Sequence, residues 1–291
     1  MRLVRYRPAR AAEAGDDGIR SGVVVTVAGV DRVVDLGAAP LPELILAGRP
    51  ALDAAVARAG ATDPELSSVR LEAPVRPGKI LCLGYNYRGH VPDGVDPTAD
   101  DPAFPDVFVK TPNTLGGPAD PVVVPAVADD VDYEGEIAVV IGQQAKDVDE
   151  ATALAHVAGY TILNDVSDRS WQRRQSQWAM GKCFDGFAPL GPWLVTPDEA
   201  GDPQDMLVEV VRDGVVTVSQ STATTIFSVA RVVSYLSSVM TLEPGDVIST
   251  GTPQKLPDAQ ASHRPLRPGD TVTVRIERLG ELTTTFIGGP A

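Results

Sequence analysis

Cysteine is scarce in this 291-residue chain: Cys82 and Cys183 are the only two. Two thiols this far apart cannot make a disulfide framework, and no Cys-x-x-Cys spacing offers a zinc site. Reduced, partly buried cysteines are expected of a cytoplasmic protein, and that is the expected location. Positive charge is also short. Lys and Arg number 25 against 39 Asp and Glu, a formal net charge of −14. Nucleic acid and anionic membrane surfaces both require a basic face, so neither is expected as a partner. No apolar run approaches the roughly 18 residues of a membrane span. The opening MRLVRYRPAR has basic residues but no apolar stretch after them, unlike a secretory signal. Neither GxGxxG nor GxxxxGK[ST] occurs, so phosphate-loop chemistry has no support. What remains is 43% apolar and 22% charged, the balance of a folded globular chain.

The pattern along the chain is rich in strands. Residues 2–6 and 22–36 read as strands, the latter as a hairpin, and 41–60 as short helices broken at Arg49-Pro50. A boundary near residue 72 divides a small N-terminal domain (1–72) from a main domain (73–291). Residues 92–106, crowded with Pro and Asp, read as an irregular mobile segment. Strands follow at 107–110, 121–125, 136–141 and 161–165, with a helix over 148–159. Ser228–Met240 carries apolar residues at helical spacing. Pro-Gly-Asp turns at 244–246 and 268–270 each introduce a strand. Strands and helices do not alternate regularly, so a doubly wound nucleotide fold is disfavoured and the class is α+β, rich in strand.

The sharpest local signal is Asp129-Asp-Val-Asp-Tyr-Glu-Gly-Glu136, which leads into Ile-Ala-Val-Val-Ile. Residues at i and i+2 of a strand share a face, so Asp132, Glu134 and Glu136 are expected to point one way. Carboxylates so placed repel unless a hard divalent cation neutralises them. A charge run is more often a solvated edge. Here the run enters an apolar strand, and Asp165 sits at the end of another. Nearby lies a basic and amide-rich stretch, with Arg169, Gln172, Arg173, Arg174 and Lys182, and Lys110 stands at a further strand end. Such groups bind carboxylates and enolates.

Three histidines are present. His156, in an Ala-rich helix, reads as structural, and His263, in a polar loop, as surface. His90 precedes Asp93 by three residues. On a helical turn the two face each other, which suits a base for water. Such a turn would order over bound substrate as a lid.

Together these segments resemble the fumarylacetoacetate hydrolase family. The resemblance rests on Gly84-Tyr-Asn-Tyr-Arg-Gly-His90, Phe108-Val-Lys110, Asp132-Tyr-Glu-Gly-Glu-Ile-Ala-Val-Val-Ile-Gly142, Asn164-Asp-Val-Ser-Asp-Arg169, Gly181-Lys-Cys-Phe-Asp185, Pro189-Leu-Gly-Pro192 and Leu242-Glu-Pro-Gly-Asp-Val-Ile-Ser-Thr-Gly-Thr-Pro253. They run in family order across about residues 75–275. The resemblance implies a roll of mixed sheets, a homodimer, and Mg²⁺ or Mn²⁺, with Ca²⁺ a further candidate, on Glu134, Glu136 and Asp165. It implies that His90 and Asp93 activate water, that Lys182 lies near the metal and substrate oxygens, and that Lys110, Arg169, Gln172 and Thr252 meet the substrate. The chain departs from the pattern at four places: Asp93 replaces Glu, Asp168 a small residue and Ser170 an acid, while Gln254-Lys-Leu256 replaces Gly-Val-Gly. The implied reaction is hydrolysis of a C–C bond in a β-diketo acid of the acylpyruvate or fumarylpyruvate type, by way of an enolate held at the metal. The same site would suit decarboxylation of an oxaloacetate-type diacid or isomerisation of a 2-hydroxymuconate-type diacid. A non-catalytic ligand-binding paralogue is the third reading. In each case the ligand is a small anionic 2-oxo acid.

Overall fold

The computed structural model describes residues 1–8, 18–91, 96 and 100–289. Asp93, and much of the segment read as a lid, lie outside them. The first strands are β1 (Arg2–Arg7), β2 (Arg20–Val27) and β3 (Val30–Gly37), followed by helices α1 (Leu41–Leu46) and α2 (Arg49–Ala57). Next come β4 (Arg70–Glu72), β5 (Ile80–Gly84), β6 (Asp106–Lys110), β7 (Leu115–Gly116), β8 (Val122–Val124), β9 (Val131–Asp132) and β10 (Gly135–Ile141). The middle of the chain holds α3 (Glu150–Ala153), β11 (Val157–Asn164), β12 (Ser167–Asp168), α4 (Arg169–Gln172), α5 (Ala179–Lys182), β13 (Ala188–Val195) and α6 (Pro197–Ala200). The last third adds β14 (Leu207–Arg212), β15 (Val215–Ser221), α7 (Val229–Val239), β16 (Val247–Ser249), α8 (Pro257–Ala261), β17 (Thr271–Ile276) and β18 (Gly280–Gly288).

Among the described residues, the strands form an 11-stranded sheet in the order β3-β2-β1-β13-β11-β10-β16-β5-β6, with β4 on β1 and β7 on β13. A five-stranded sheet runs β15-β14-β17-β18-β8, and β12 pairs with β9 alone. Most pairs are antiparallel; β16–β5, β13–β7 and β18–β8 are parallel. The class is α+β with open mixed sheets. The N-terminal strands join the same sheet through β1 and β13.

β10 is buried on both faces, and after Glu136 it is apolar to its end. Ile137, Val139 and Ile141 enter a core with Val208 and Val210 of β14 and Val272, Val274 and Ile276 of β17. Ala138 and Val140 face the other way, into a core capped by Leu41 of α1 and Leu52 and Ala55 of α2. The expected helix in the 229–240 region is α7. Val229, Val232, Val233 and Leu236 are its buried stripe, and the Ser228 hydroxyl caps it by accepting from Arg231 N at 3.1 Å. The helix expected over 148–159 stops short. After α3 and one tight turn to His156, the chain becomes β11 at Val157. Residues 157–164 are buried on both sides between β10 and β13, where a ladder satisfies the backbone and β-branched residues pack well.

Candidate active site

The β10–β11 hairpin frames the carboxylates. Gly135 pairs with Asn164 and Glu136 with Leu163, so Glu134 and Asp165 lie just past the end of the ladder, side by side. Asp165 N donates to Glu134 O at 2.8 Å, and Glu134 N donates to the Asn164 side-chain oxygen at 3.2 Å. Gly135 must be glycine. A Cβ there would lie 2.6 Å from Val210 Cγ2 and 2.8 Å from Val274 Cγ1, where the five-stranded sheet presses against the hairpin. The acids do not share one continuous strand as the i, i+2 spacing predicts. The extended pairing breaks at Tyr133-Glu134, and Asp132 belongs to β9, opposite Ser167 of β12.

Oxygens of Glu134, Glu136 and Asp165 lie within 4.8 Å of one another. Glu136 and Asp165 are buried. An all-oxygen carboxylate set suits a hard divalent cation. Hydrogen bonding in the cluster fits that use. One oxygen of Glu136, Oε2, accepts from Ser249 Oγ at 2.6 Å and from Gly251 N at 2.8 Å, which fixes the side chain. Burial, then the charges of Asp165 and Glu134, push its carboxyl well above the ordinary range. A cation would relieve that repulsion.

Around the acids stands a wall of cations. Lys182 Nζ bridges Glu134 Oε2 at 2.6 Å and Asp165 Oδ2 at 2.7 Å. Arg169 reaches Glu134 Oε1 at 2.6 Å and Asp132 Oδ2 at 3.0 Å, and donates to Gln172 Oε1 at 3.0 Å. Burial opposes the charge on Lys182, but Asp165 and Glu134 outweigh it and raise its pKa. Burial would likewise raise Glu134; Arg169 and Lys182 reverse this and hold it far below the usual carboxylate range. Lys182 gets here because α5 packs tightly on the start of α4. A Cβ on Gly181 would lie 2.5 Å from Asp168 O and Gln172 N. Asp168, an unexpected acid by resemblance, caps α4 by accepting from Trp171 N at 2.8 Å and Ser170 Oγ at 2.6 Å. The two departures at 168 and 170 therefore answer each other.

These groups open onto a cavity of about 430 Å³. Glu134, Glu136, Arg169, Gln172, Lys182, Thr252 and His90 all line it. Lys110 does not. Its ammonium is 0% exposed and lies behind the acids, 2.6 Å from Asp165 Oδ1 and 3.0 Å from Val166 O. That places it as a prop for Asp165, where the resemblance implied a substrate contact. His90 stands at the cavity wall with Nδ1 2.9 Å from Thr252 O. A carbonyl only accepts, so Nδ1 carries a proton, and the neutral ring has its lone pair on Nε2. His156 bonds Gln144 O, and His263 lies in the exposed loop beside Asp130.

Several residues here escape sequence reasoning. Asn86 clamps the turn that carries His90, donating to Phe227 O and Thr250 O and accepting from Phe227 N. Tyr85 lies edge-on to both His90 and Trp178, with ring centroids 5.3 and 5.8 Å away. Lys255 enters the cavity and pairs with Asp132 at 2.5 Å. The Gly-Tyr-Asn-Tyr string flags the first two as a motif. The departure at 254–256 flags the third, without saying which way Lys255 points.

Comparison with known proteins follows the same lines. A family model described as Fumarylacetoacetate (FAA) hydrolase C-terminal matches residues 79–287. The fumarylacetoacetate hydrolase domain-containing protein 2 homolog of Dictyostelium discoideum is 42% identical over 228 residues, 75% of this chain and 74% of that one. The solved 2-hydroxyhepta-2,4-diene-1,7-dioate isomerase from Mycobacterium marinum aligns over 100% of both chains, with a TM-score of 0.79 and 33% identity. Maleylpyruvate hydrolase from Sphingobium sp. SYK-6, solved with manganese(II) and pyruvate, also aligns over 100% of both, with a TM-score of 0.79 and 29% identity. No helix among the described residues is long and apolar enough to cross a membrane. A match of this length, on a shared fold with a carboxylate cluster at its centre, assigns the chain to the fumarylacetoacetate hydrolase family of enzymes.

Proposed function

We propose that this chain is a divalent-metal-dependent hydrolase that cleaves a carbon–carbon bond in a β-diketo acid of the acylpyruvate or fumarylpyruvate type. Glu134, Glu136 and Asp165 would hold Mg²⁺ or Mn²⁺. A cation held there supplies Lewis-acid polarisation to the 2-oxo acid end of the substrate. The observation that carries the hydrolytic reading is His90, whose Nδ1 is fixed on Thr252 O while its ring faces the cavity. Its Nε2 is then the base that takes a proton from water. Asp93, three residues on, is the acid assigned to work with His90. Lys182 keeps a positive charge at the cavity wall where an oxyanion develops. Arg169, Gln172 and Thr252 orient the carboxylate end, and Lys110 holds Asp165 in place. The water oxygen ends on the acyl fragment as a carboxylate, and a proton returns to the carbon released on the pyruvate side.

Isomerisation or decarboxylation of a diacid is the second reading. The likeness to the Mycobacterium marinum isomerase favours isomerisation, and neither reaction needs an attacking water. Separate incubations of the Mn²⁺-loaded protein with acetylpyruvate and with oxaloacetate test the two. Pyruvate plus acetate from the first supports hydrolysis. Pyruvate plus CO₂ from the second, with acetylpyruvate untouched, overturns it.

A further inference from the structure

We infer that Lys255 sets substrate specificity by binding a second carboxylate at the far end of the substrate, so that the site prefers dianionic 2-oxo acids over chain-matched monoanions. The inference rests on the 2-oxo acid reading of the site and adds the charge of the substrate's tail.

Lys255 sits where the resemblance expects a small apolar stretch. Its ammonium lines the same cavity as the carboxylate cluster. It lies 2.5 Å from Asp132 Oδ1, 4.4 Å from the centre of the Tyr133 ring and 3.5 Å from His263 Nδ1. The Tyr133 ring and the Asp132 carboxylate hold the charge at a defined point, in a side chain only 16% exposed. The position is three ion pairs removed from Glu134, which pairs with Arg169, which pairs with Asp132, which pairs with Lys255. The cluster thus reads one end of a ligand, and Lys255 lies at a distance from it along the same cavity.

Charge balance points the same way. Four acids (Asp132, Glu134, Glu136, Asp165) meet four cations (Lys110, Arg169, Lys182, Lys255) in the ion-paired network, and Arg173, which also lines the cavity, is balanced by Asp130. A divalent cation tips the balance to two positive charges, which a dianion neutralises and a monoanion does not. Among the four cations, Lys255 is the one that can be lent. Lys110 and Lys182 are committed to the metal-binding carboxylates, and Arg169, paired with Glu134 and Asp132, serves the 2-oxo acid end. Asp132 keeps Arg169 when Lys255 turns to a ligand. Gln254 and Gln260 line the cavity beside it and add amide donors for a second carboxylate.

The test compares acids of equal length with and without a distal carboxylate. Binding of 2-oxoadipate and 2-oxohexanoate to the Mn²⁺-loaded protein is measured by calorimetry, and turnover of succinylpyruvate and butanoylpyruvate by pyruvate release. The wild-type protein is expected to favour the diacid in binding. Lys255→Met is expected to cut the diacid-to-monoacid ratio by about 10- to 100-fold, the worth of one charge-assisted hydrogen bond. Lys255→Arg should keep most of the ratio. An unchanged ratio in Lys255→Met overturns the inference. So does an equal loss for both acids, which would make Lys255 only a prop for Asp132. Diacid preference in binding, lost in Lys255→Met, with no pyruvate released, would uphold the inference while overturning the hydrolytic reading. Binding of neither acid by the wild-type protein overturns both.

Discussion

Asp132 is the residue whose electrostatics are most exposed to test. Burial works against its charge, but Arg169 and Lys255 hold the carboxyl down to about 2. Its folded value lies below the ordinary value of 3.8, so its contribution is complete above about pH 4 and fades as pH falls towards 2. Asp132→Asn should therefore cost roughly 2 kcal/mol at neutral pH, with the gap to wild type closing below about pH 4. Urea melts at several pH values measure it; a gap that widens in acid would refute the assignment. His90→Ala should lower hydrolysis by about a hundred- to ten-thousand-fold, the usual span of a general base. Its Mn²⁺ affinity should stay near wild type, because His90 touches none of the three carboxylates; wild-type turnover would remove His90 from the chemistry. At this scale the sequence spoke unevenly. Glu134, Glu136 and Asp165 were legible because each sits at or beside a strand end and two lie two residues apart in the chain. Lys110 was legible as a basic residue near the site but not as a prop for Asp165, because only the fold sets which side of an acid a lysine takes.

The β10–β11 hairpin, with β9 and β12 beside it, is the element that makes the cluster. Its two strands were readable from the apolar run after Glu136 and from Thr161-Ile-Leu-Asn-Asp165; their register was not. What could not be read was the interruption at Tyr133-Glu134, which removes Asp132 from the ligand face. That break depends on β9 pairing with β12, where Asp132 lies opposite Ser167, 35 residues further on. The helix boundary at His156 was missed for a related reason: Val157 and its successors have helical spacing in part, and the neighbours β10 and β13 decide the outcome. Gly135→Ala tests the hairpin's packing. The added methyl would meet two buried valines on the other sheet, so a loss of about 1–3 kcal/mol is expected in denaturant melts. The same variant should bind Mn²⁺ more weakly, since the strain falls between two ligands. A wild-type melt would mean that the sheets can part at this point without cost.

Across the whole molecule, β10 supplies Glu136, the break before it Glu134 and the link between β11 and β12 Asp165, while loops supply the cavity rim. Adding Mn²⁺ should raise the stability of the entire chain, by about 2.7 kcal/mol at a hundredfold excess over Kd. Glu136→Gln should lose most of that gain, and thermal melts with and without Mn²⁺ read it directly. An equal gain in the variant would place the cation elsewhere. The strand-rich class was legible because apolar β-branched runs and Pro-Gly-Asp turns are local signals. The order of the strands was not, since β1 joins β13 with Arg2 opposite Val195, a pairing of segments far apart in the chain. Physically, the acids that would grip a cation come from residues 134–165, whereas His90, Trp178 and Lys255 come from three other stretches. A lineage can therefore rewrite one of those stretches and keep its ion. Descendants of one ancestor could trade water attack for double-bond migration, or a charged tail for a greasy one, without having to reinvent the centre that all of them share.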